Sequence, residues 1–219
     1  MNQVNYQKEL DKLLDGLKQE HEKGATASTL FLHSCCAPCS SYVLEYLCGR
    51  FRITVFYYNP NISENAEYRR RVEEQKKLIE AYNREGRGYP ISIVEGDYEP
   101  RRFFQAAAGL EDCPEGGERC FKCFDLRLRE TAKKAQAGGF DFFGTTLTIS
   151  PLKNAEKLNE IGGALAAEYG VSWLPSDFKK KNGYKRSVEL SAEYELYRQD
   201  YCGCVFSKAE RDRKITAQP

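Results

Sequence analysis

Histidine is scarce in this chain. Two residues, His21 and His33, serve 219 positions, which argues against a metal site built from imidazoles. No run of about 18 apolar residues occurs, so no segment is expected to span a membrane. Neither a Gly-rich dinucleotide fingerprint nor a flavin signature is present, so electrons for any redox chemistry are expected from an outside carrier. The stretch "SCCAPCS" (34–40) follows a strand-like run and contains no glycine. Backbone there cannot wrap a phosphate closely, which weighs against a nucleotide-activating enzyme. The net charge is only +1, so any footprint for nucleic acid must be local. The opening "MNQVNYQKELDKLLDGLKQE" lacks the apolar core and cleavage site of a signal peptide and reads as a polar amphipathic helix. A cytoplasmic location is expected.

Sulfur is what the sequence has. Nine cysteines in a reducing compartment, several of them closely spaced, point to metal binding or redox chemistry rather than a disulfide scaffold. Seven fall in three groups: Cys35, Cys36 and Cys39; Cys120 and Cys123; Cys202 and Cys204. Cys48, on the apolar side of a predicted helix, reads as a small buried hydrophobe. Cys113, in the loop "EDCPEGG", reads as inert or ancillary.

Hydrophobic periodicity supplies the architecture. "TLFLHS" (29–34), "RITVFYY" (52–58), "YPISIVEG" (89–96), "FDFFGTTLT" (140–148) and "VSWLPSDF" (171–178) read as strands. Helical spacing predicts helices over 40–50, 64–86, 99–109, 122–139 and 154–170 between them. The last long segment reads as helical, broken by "KKKNGYKR" and "CGC". This alternation predicts an α/β fold: a three-layer, mostly parallel Rossmann-like sheet with a helical, cysteine-bearing C-terminal segment. Three parts are expected: a helical extension over 1–28, one α/β catalytic domain over 29–208 and a polar tail over 209–219. Ligands of such sheets sit beyond the carboxyl ends of the strands. "CCAPC", "YNPN", "TTLTISP" and "LPSDF" all lie just past strand ends, so they are expected to converge on one mouth.

Seven thiols exceed the need of a structural zinc site, which closes with four ligands. A [4Fe–4S] cluster takes four thiolates from separate parts of a fold, and Cys35, Cys36, Cys120 and Cys123 would supply them. Pro38 suits the first turn of the helix that follows, whose free N–H groups would favour thiolates. The "CGC" pair fits either a small strained disulfide or, with Cys39, a second metal ion (iron or zinc).

The chain resembles the epoxyqueuosine reductases of the QueH type from about residue 29 to about residue 208. The likeness rests on "LHSCCAPCS", "FYYNPNISENAEYRRR", "CFKCFDLRLRETA", "GTTLTISPLKN" and "FKKKNGYKRSVELSAEYELYRQDYCGCVFS". It implies an iron–sulfur oxidoreductase that removes the epoxide oxygen from epoxyqueuosine in tRNA, the last step of queuosine biosynthesis. It also implies a [4Fe–4S] cluster on Cys35, Cys36, Cys120 and Cys123. Cys202 and Cys204 would be the redox-active pair or ligands of an adjacent metal, and Cys39 a candidate ligand of that second metal.

Such a reaction needs protons, for which Asp200, Tyr201, Tyr57 and Glu67 are candidates. Tyr57 also reads as a strand end, and Glu67 as an i,i+4 partner of Arg71. Asp177 reads as a helix N-cap, His33 as a core residue, and "RRR" (69–71) as a solvated helix face. For tRNA the basic footprint is Lys179, Lys180, Lys181, Lys185 and Arg186, with Phe178 and Tyr184 interleaved for stacking on a splayed base. A ferredoxin- or flavodoxin-like donor is the expected electron source. A non-catalytic zinc-binding RNA module is the rival reading, and it leaves several thiols unused.

Overall fold

The protein is described here by a computed structural model over residues 4–216. Positions 1–3 of the expected extension and 217–219 of the expected tail lie outside the described residues. In chain order the elements are α1 (Tyr6–Glu22), β1 (Thr29–Ser34), α2 (Ala37–Leu47), β2 (Arg52–Tyr57), α3 (Asn65–Glu85), β3 (Ser92–Glu95) and α4 (Pro100–Ala107). There follow α5 (Glu118–Ala137), β4 (Phe142–Thr145), a short 3₁₀ turn (Leu147–Ile149), α6 (Ala155–Tyr169), β5 (Ser172–Trp173), α7 (Gly183–Glu193) and α8 (Val205–Thr216).

Side-chain alternation along β1 builds the layers. Leu30 and Leu32 enter one core with Leu10 and Leu14 of α1, Val43, Leu44 and Leu47 of α2, and Leu78 and Tyr82 of α3. Phe31 enters the other, with Phe124, Leu128 and Ala132 of α5 and Leu158 and Leu165 of α6. Both faces of β1 are therefore covered, as a central parallel strand requires. The sheet is parallel throughout in the order β3-β2-β1-β4-β5. This is the expected three-layer α/β fold. The order reverses between β1 and β4, and that switch point is where such sheets leave a crevice at their carboxyl ends.

Element boundaries differ from the sequence pattern for local reasons. β5 pairs over two residues only, because Pro175 cannot donate to a ladder. β3 begins at Ser92, two residues past Pro90. α2 starts at Ala37, with extended Cys36 as its N-cap and Pro38 in its first turn, where a missing N–H costs nothing. α5 starts at Glu118 rather than 122, which puts Cys120 and Cys123 on one helix at i,i+3. The helix α1 is part of the main core: Leu10 is fully buried. No helix among the described residues is long and apolar enough to cross a membrane.

Candidate functional site

Three chain segments meet past the carboxyl ends of β1, β2 and β4. The first carries Cys35, Cys36 and Cys39, whose sulfurs all lie within 4.8 Å of one another. Cys35 Sγ is 3.7 Å from Cys36 Sγ and 3.7 Å from Thr146 Oγ1, just beyond β4. Hydrogen bonds from the Cys35 and Cys39 thiols hold Cys36 well below the usual thiol range, and the charge of Arg71 adds to this. The bond to Cys36 pushes Cys35 up to about 11, and the bonds to Cys35 and Cys36 raise Cys39. Behind the trio, the hydroxyls of Ser34 and Ser40 both reach Gln75 Oε1, and Ser40 Oγ also donates to the Cys36 carbonyl. The cysteine turn is thereby tied to α3.

The second segment is the start of α5. Cys120 Sγ accepts from the Gly116 N–H at 3.2 Å and sits in the first turn of the helix. Cys123 is buried, and burial pushes its thiol up to about 11. The third segment is "CGC". Arg71 Nη1 donates to the Cys202 carbonyl at 3.1 Å and Nη2 to the Tyr201 carbonyl at 3.4 Å. Gly203 has φ +114, and a Cβ there would lie 2.9 Å from Ile62 Cγ1 and 3.3 Å from Arg71 Nη1. Only glycine fits this turn without strain. Cys204 is buried and pushed up to about 12 by that burial and by the neighbouring Cys202.

Two cavities join these segments. A small void of about 10 Å³ is lined by Cys120, Cys123, Cys202 and Cys204 together with Arg127 and Lys153. An open cleft of about 390 Å³ is lined by Cys35, Cys39 and Cys202, again with Arg127 and Lys153. Cys202 is the sulfur common to both. Lys153 Nζ donates to Cys202 Sγ at 3.2 Å and to Glu115 Oε1 at 2.9 Å. Ser207 Oγ donates to Glu115 Oε2 and accepts from the Cys202 N–H, both at 3.0 Å. A closed loop of polar contacts therefore fixes the position of Cys202. All nine cysteines are free thiols.

Sequence reasoning had not singled out Lys153, Glu115, Ser207 or Arg127. A signal existed for the last. Phe124, Leu128, Thr131, Ala132 and Ala135 form the buried stripe of α5, and Arg127 occupies a stripe position where an apolar residue is the rule.

The other candidates divide by location. Tyr201 and Asp200 line the cleft. The guanidinium groups of Arg71 and Arg211 lie 5.4 Å and 5.0 Å from the centre of the Tyr201 ring. Asp200 is exposed and accepts from Arg211 at 2.6 Å, which lowers its pKa. Tyr57 is fully buried in the core against Tyr68, and Glu67 pairs with Arg71 at 2.7 Å. Arg71 itself is buried, unlike Arg69 and Arg70, so the expected solvated face covers only part of "RRR". His33 is a core residue. Its Nε2 donates to the Tyr58 carbonyl, Thr145 Oγ1 bonds Nδ1, and burial lowers its pKa to about 3, so it stays neutral. Cys48 is buried in the main core, and Cys113 is partly exposed. Asp177 caps no helix: it pairs with Lys179, and Asn182 precedes α7.

The basic turn is partly consumed by the fold. Lys179 Nζ bonds Asp177 and the Thr148 carbonyl, Lys181 pairs with Asp11, and Arg186 pairs with Glu45 and Glu193. Lys180 and Lys185 are exposed and have no ion pair among the described residues. Phe178 is buried and packs edge-on against Tyr46, so it cannot stack on a base, a correction to its expected role. Tyr184 is 41% exposed and lies on the rim of the cleft.

The donor set fits a thiolate-held, negatively charged group. Seven thiols and four buried cations (Arg71, Arg119, Arg127 and Lys153) are packed at this end of the sheet. Arg127 Nη2 is a buried donor with no hydrogen-bond partner among the described residues.

Fold and site together define an α/β protein with a thiol-built centre at the switch point of a parallel sheet. The model of the family Epoxyqueuosine reductase QueH matches residues 30–210. The chain is 44% identical over 204 residues to the Epoxyqueuosine reductase QueH of Streptococcus pyogenes serotype M1, covering 93% of this chain and 78% of that protein. Against the same-named protein of Staphylococcus epidermidis identity is 43% over 206 residues, covering 93% and 84%. For that of Thermotoga maritima it is 35% over 192 residues, covering 85% and 93%. The chain belongs to the QueH family of epoxyqueuosine reductases.

Proposed function

We infer that this chain reduces epoxyqueuosine to queuosine in tRNA, the deoxygenation that completes queuosine biosynthesis. Family membership supports the reaction. The observation that carries the mechanism is the meeting of three cysteine groups around two cavities that share Cys202, Arg127 and Lys153.

In this reading Cys35, Cys36, Cys120 and Cys123 hold a [4Fe–4S] cluster, with Cys39 beside the first pair. When bound, the cluster supplies single electrons at low potential. The reaction takes two electrons and two protons, converts an epoxide to an alkene and releases one water. Cys202 and Cys204 supply a two-electron, two-proton couple as their thiols join in a disulfide, and the alternative role for this pair is ligation of a second metal ion. Gly203 permits their close spacing, and Arg71 anchors the backbone that carries them. Lys153 keeps a proton on Nζ at the junction of the cavities. Burial works against its charge, but the neighbouring Cys202 and Glu115 outweigh burial and raise its pKa. Tyr201 forms part of the cleft wall, and Asp200, held as an acceptor by Arg211, sits at its rim. Tyr184 is placed to stack on the modified base, while Lys180 and Lys185 meet phosphates beside it. A ferredoxin- or flavodoxin-like protein in the cytoplasm restores the electrons.

Single-turnover reduction of epoxyqueuosine-containing tRNA by chemically reduced protein tests this reading. Cys202→Ser and Cys204→Ser should each abolish product. If both variants turn over like the parent, the dithiol role is wrong.

A further inference from the structure

Of the four buried cations at the site, three have a carboxylate partner. Arg71 pairs with Glu67, Arg119 with Glu210 and Lys153 with Glu115. Arg127, 1% exposed, has none among the described residues. Its Nε donates to the Cys123 carbonyl at 3.2 Å, its Nη1 reaches Asn59 Oδ1 at 3.5 Å, and its Nη2 is unpartnered. An unbalanced buried charge is costly unless an anion completes it. The groups around Arg127 name that anion. It lines both the void with Cys120 and Cys123 and the cleft with Cys35, and negative charge on the sulfurs of Cys123, Cys202, Cys35 and Cys120 favours its charged form.

We propose that Arg127 is the charge-balancing residue of the cluster, its orphan Nη2 facing the thiolate-held group and holding the reduction potential up. This rests on the cluster reading given above. One-electron reduction adds a negative charge and makes or breaks no bond, so a fixed cation close by stabilises the reduced form more than the oxidised one. Hydrogen bonds to cluster sulfur act in the same direction.

The test is an EPR-monitored titration with dithionite, run on anaerobically prepared full-length protein whose iron and sulfide have been assayed. Arg127→Gln should shift the midpoint potential to more negative values by at least a tenfold change in the reduction equilibrium, about 59 mV for one electron. Arg127→Lys, which keeps the charge, should stay near the parent value. A loaded Arg127→Gln protein with an unmoved potential overturns the proposal. If that variant does not load, Asn59→Asp reads the same charge by placing a carboxylate against Nη1. A negative shift supports the proposal, and an unmoved potential overturns it. Parent protein without iron and sulfide overturns this proposal and the cluster reading together, whereas a loaded parent with insensitive variants overturns this proposal alone.

Discussion

Lys153 shows how a single side chain can hold a cysteine in place. Its ammonium is buried between Cys202 Sγ and Glu115, so removing it leaves Glu115 facing Ser207 alone. Breaking a buried pair by losing one partner costs about 3–5 kcal/mol, more than removing both. Lys153→Met should therefore destabilise the fold by about that amount in denaturant melts, and Lys153→Met with Glu115→Gln should recover part of the loss. Strictly additive effects would show that the two groups are not coupled. Individual cysteines were legible in the sequence because thiols at such spacing have few other uses, and Cys48 was separable from them by its place on an apolar face. Lys153 and Glu115 were not legible. They stand 38 residues apart in loops, and nothing local marks a loop charge as buried.

At the scale of elements, the "CGC" turn and α5 carry the geometry. Gly203→Ala places a Cβ 2.9 Å from Ile62 Cγ1 at a φ of +114, so the turn must move and Cys202 with it. Turnover should fall by about 10–100-fold, the range for losing a positioning contact, while the iron content stays at the parent level. Equal loss of iron and turnover would instead place Cys202 or Cys204 among the ligands of the proposed cluster. A second element is the start of α7. A Cβ at Gly183 would meet the Phe178 carbonyl oxygen at 1.9 Å and Tyr42 Cε1 at 2.4 Å. Gly183→Ala should cost about 1–3 kcal/mol, as overpacking does, read as a lower midpoint in thermal melts. The helix–strand alternation was legible because period and punctuation agreed. The start of α5 was not, since "GGERC" offers no side-chain cap and Gly117 serves as N-cap without one. That misplacement hid the fact that Cys120 and Cys123 share one helix.

At the scale of the whole molecule, the parallel sheet gathers residues far apart in sequence. Convergence past the strand ends followed from topology: Cys35, Cys39, Cys120, Cys123, Cys202 and Cys204 line adjoining cavities there, as do residues of "YNPN" and "TTLTISP", whereas "LPSDF" lines neither. The electrostatic surface was harder to read, because a basic run does not reveal its partners. Lys181 and Arg186 already pair with Asp11 and Glu45. Lys180→Ala and Lys185→Ala should each reduce the slope of log affinity for tRNA against log salt by about 1. Lys181→Ala and Arg186→Ala should change it less, and equal slopes for all four would contradict the pairing. The most direct measurement is the metal and sulfide content of protein purified without oxygen. A brown protein with about four irons and matching sulfide per chain, losing both in Cys120→Ser and Cys123→Ser, is the expected result. A colourless protein holding zinc alone would contradict it.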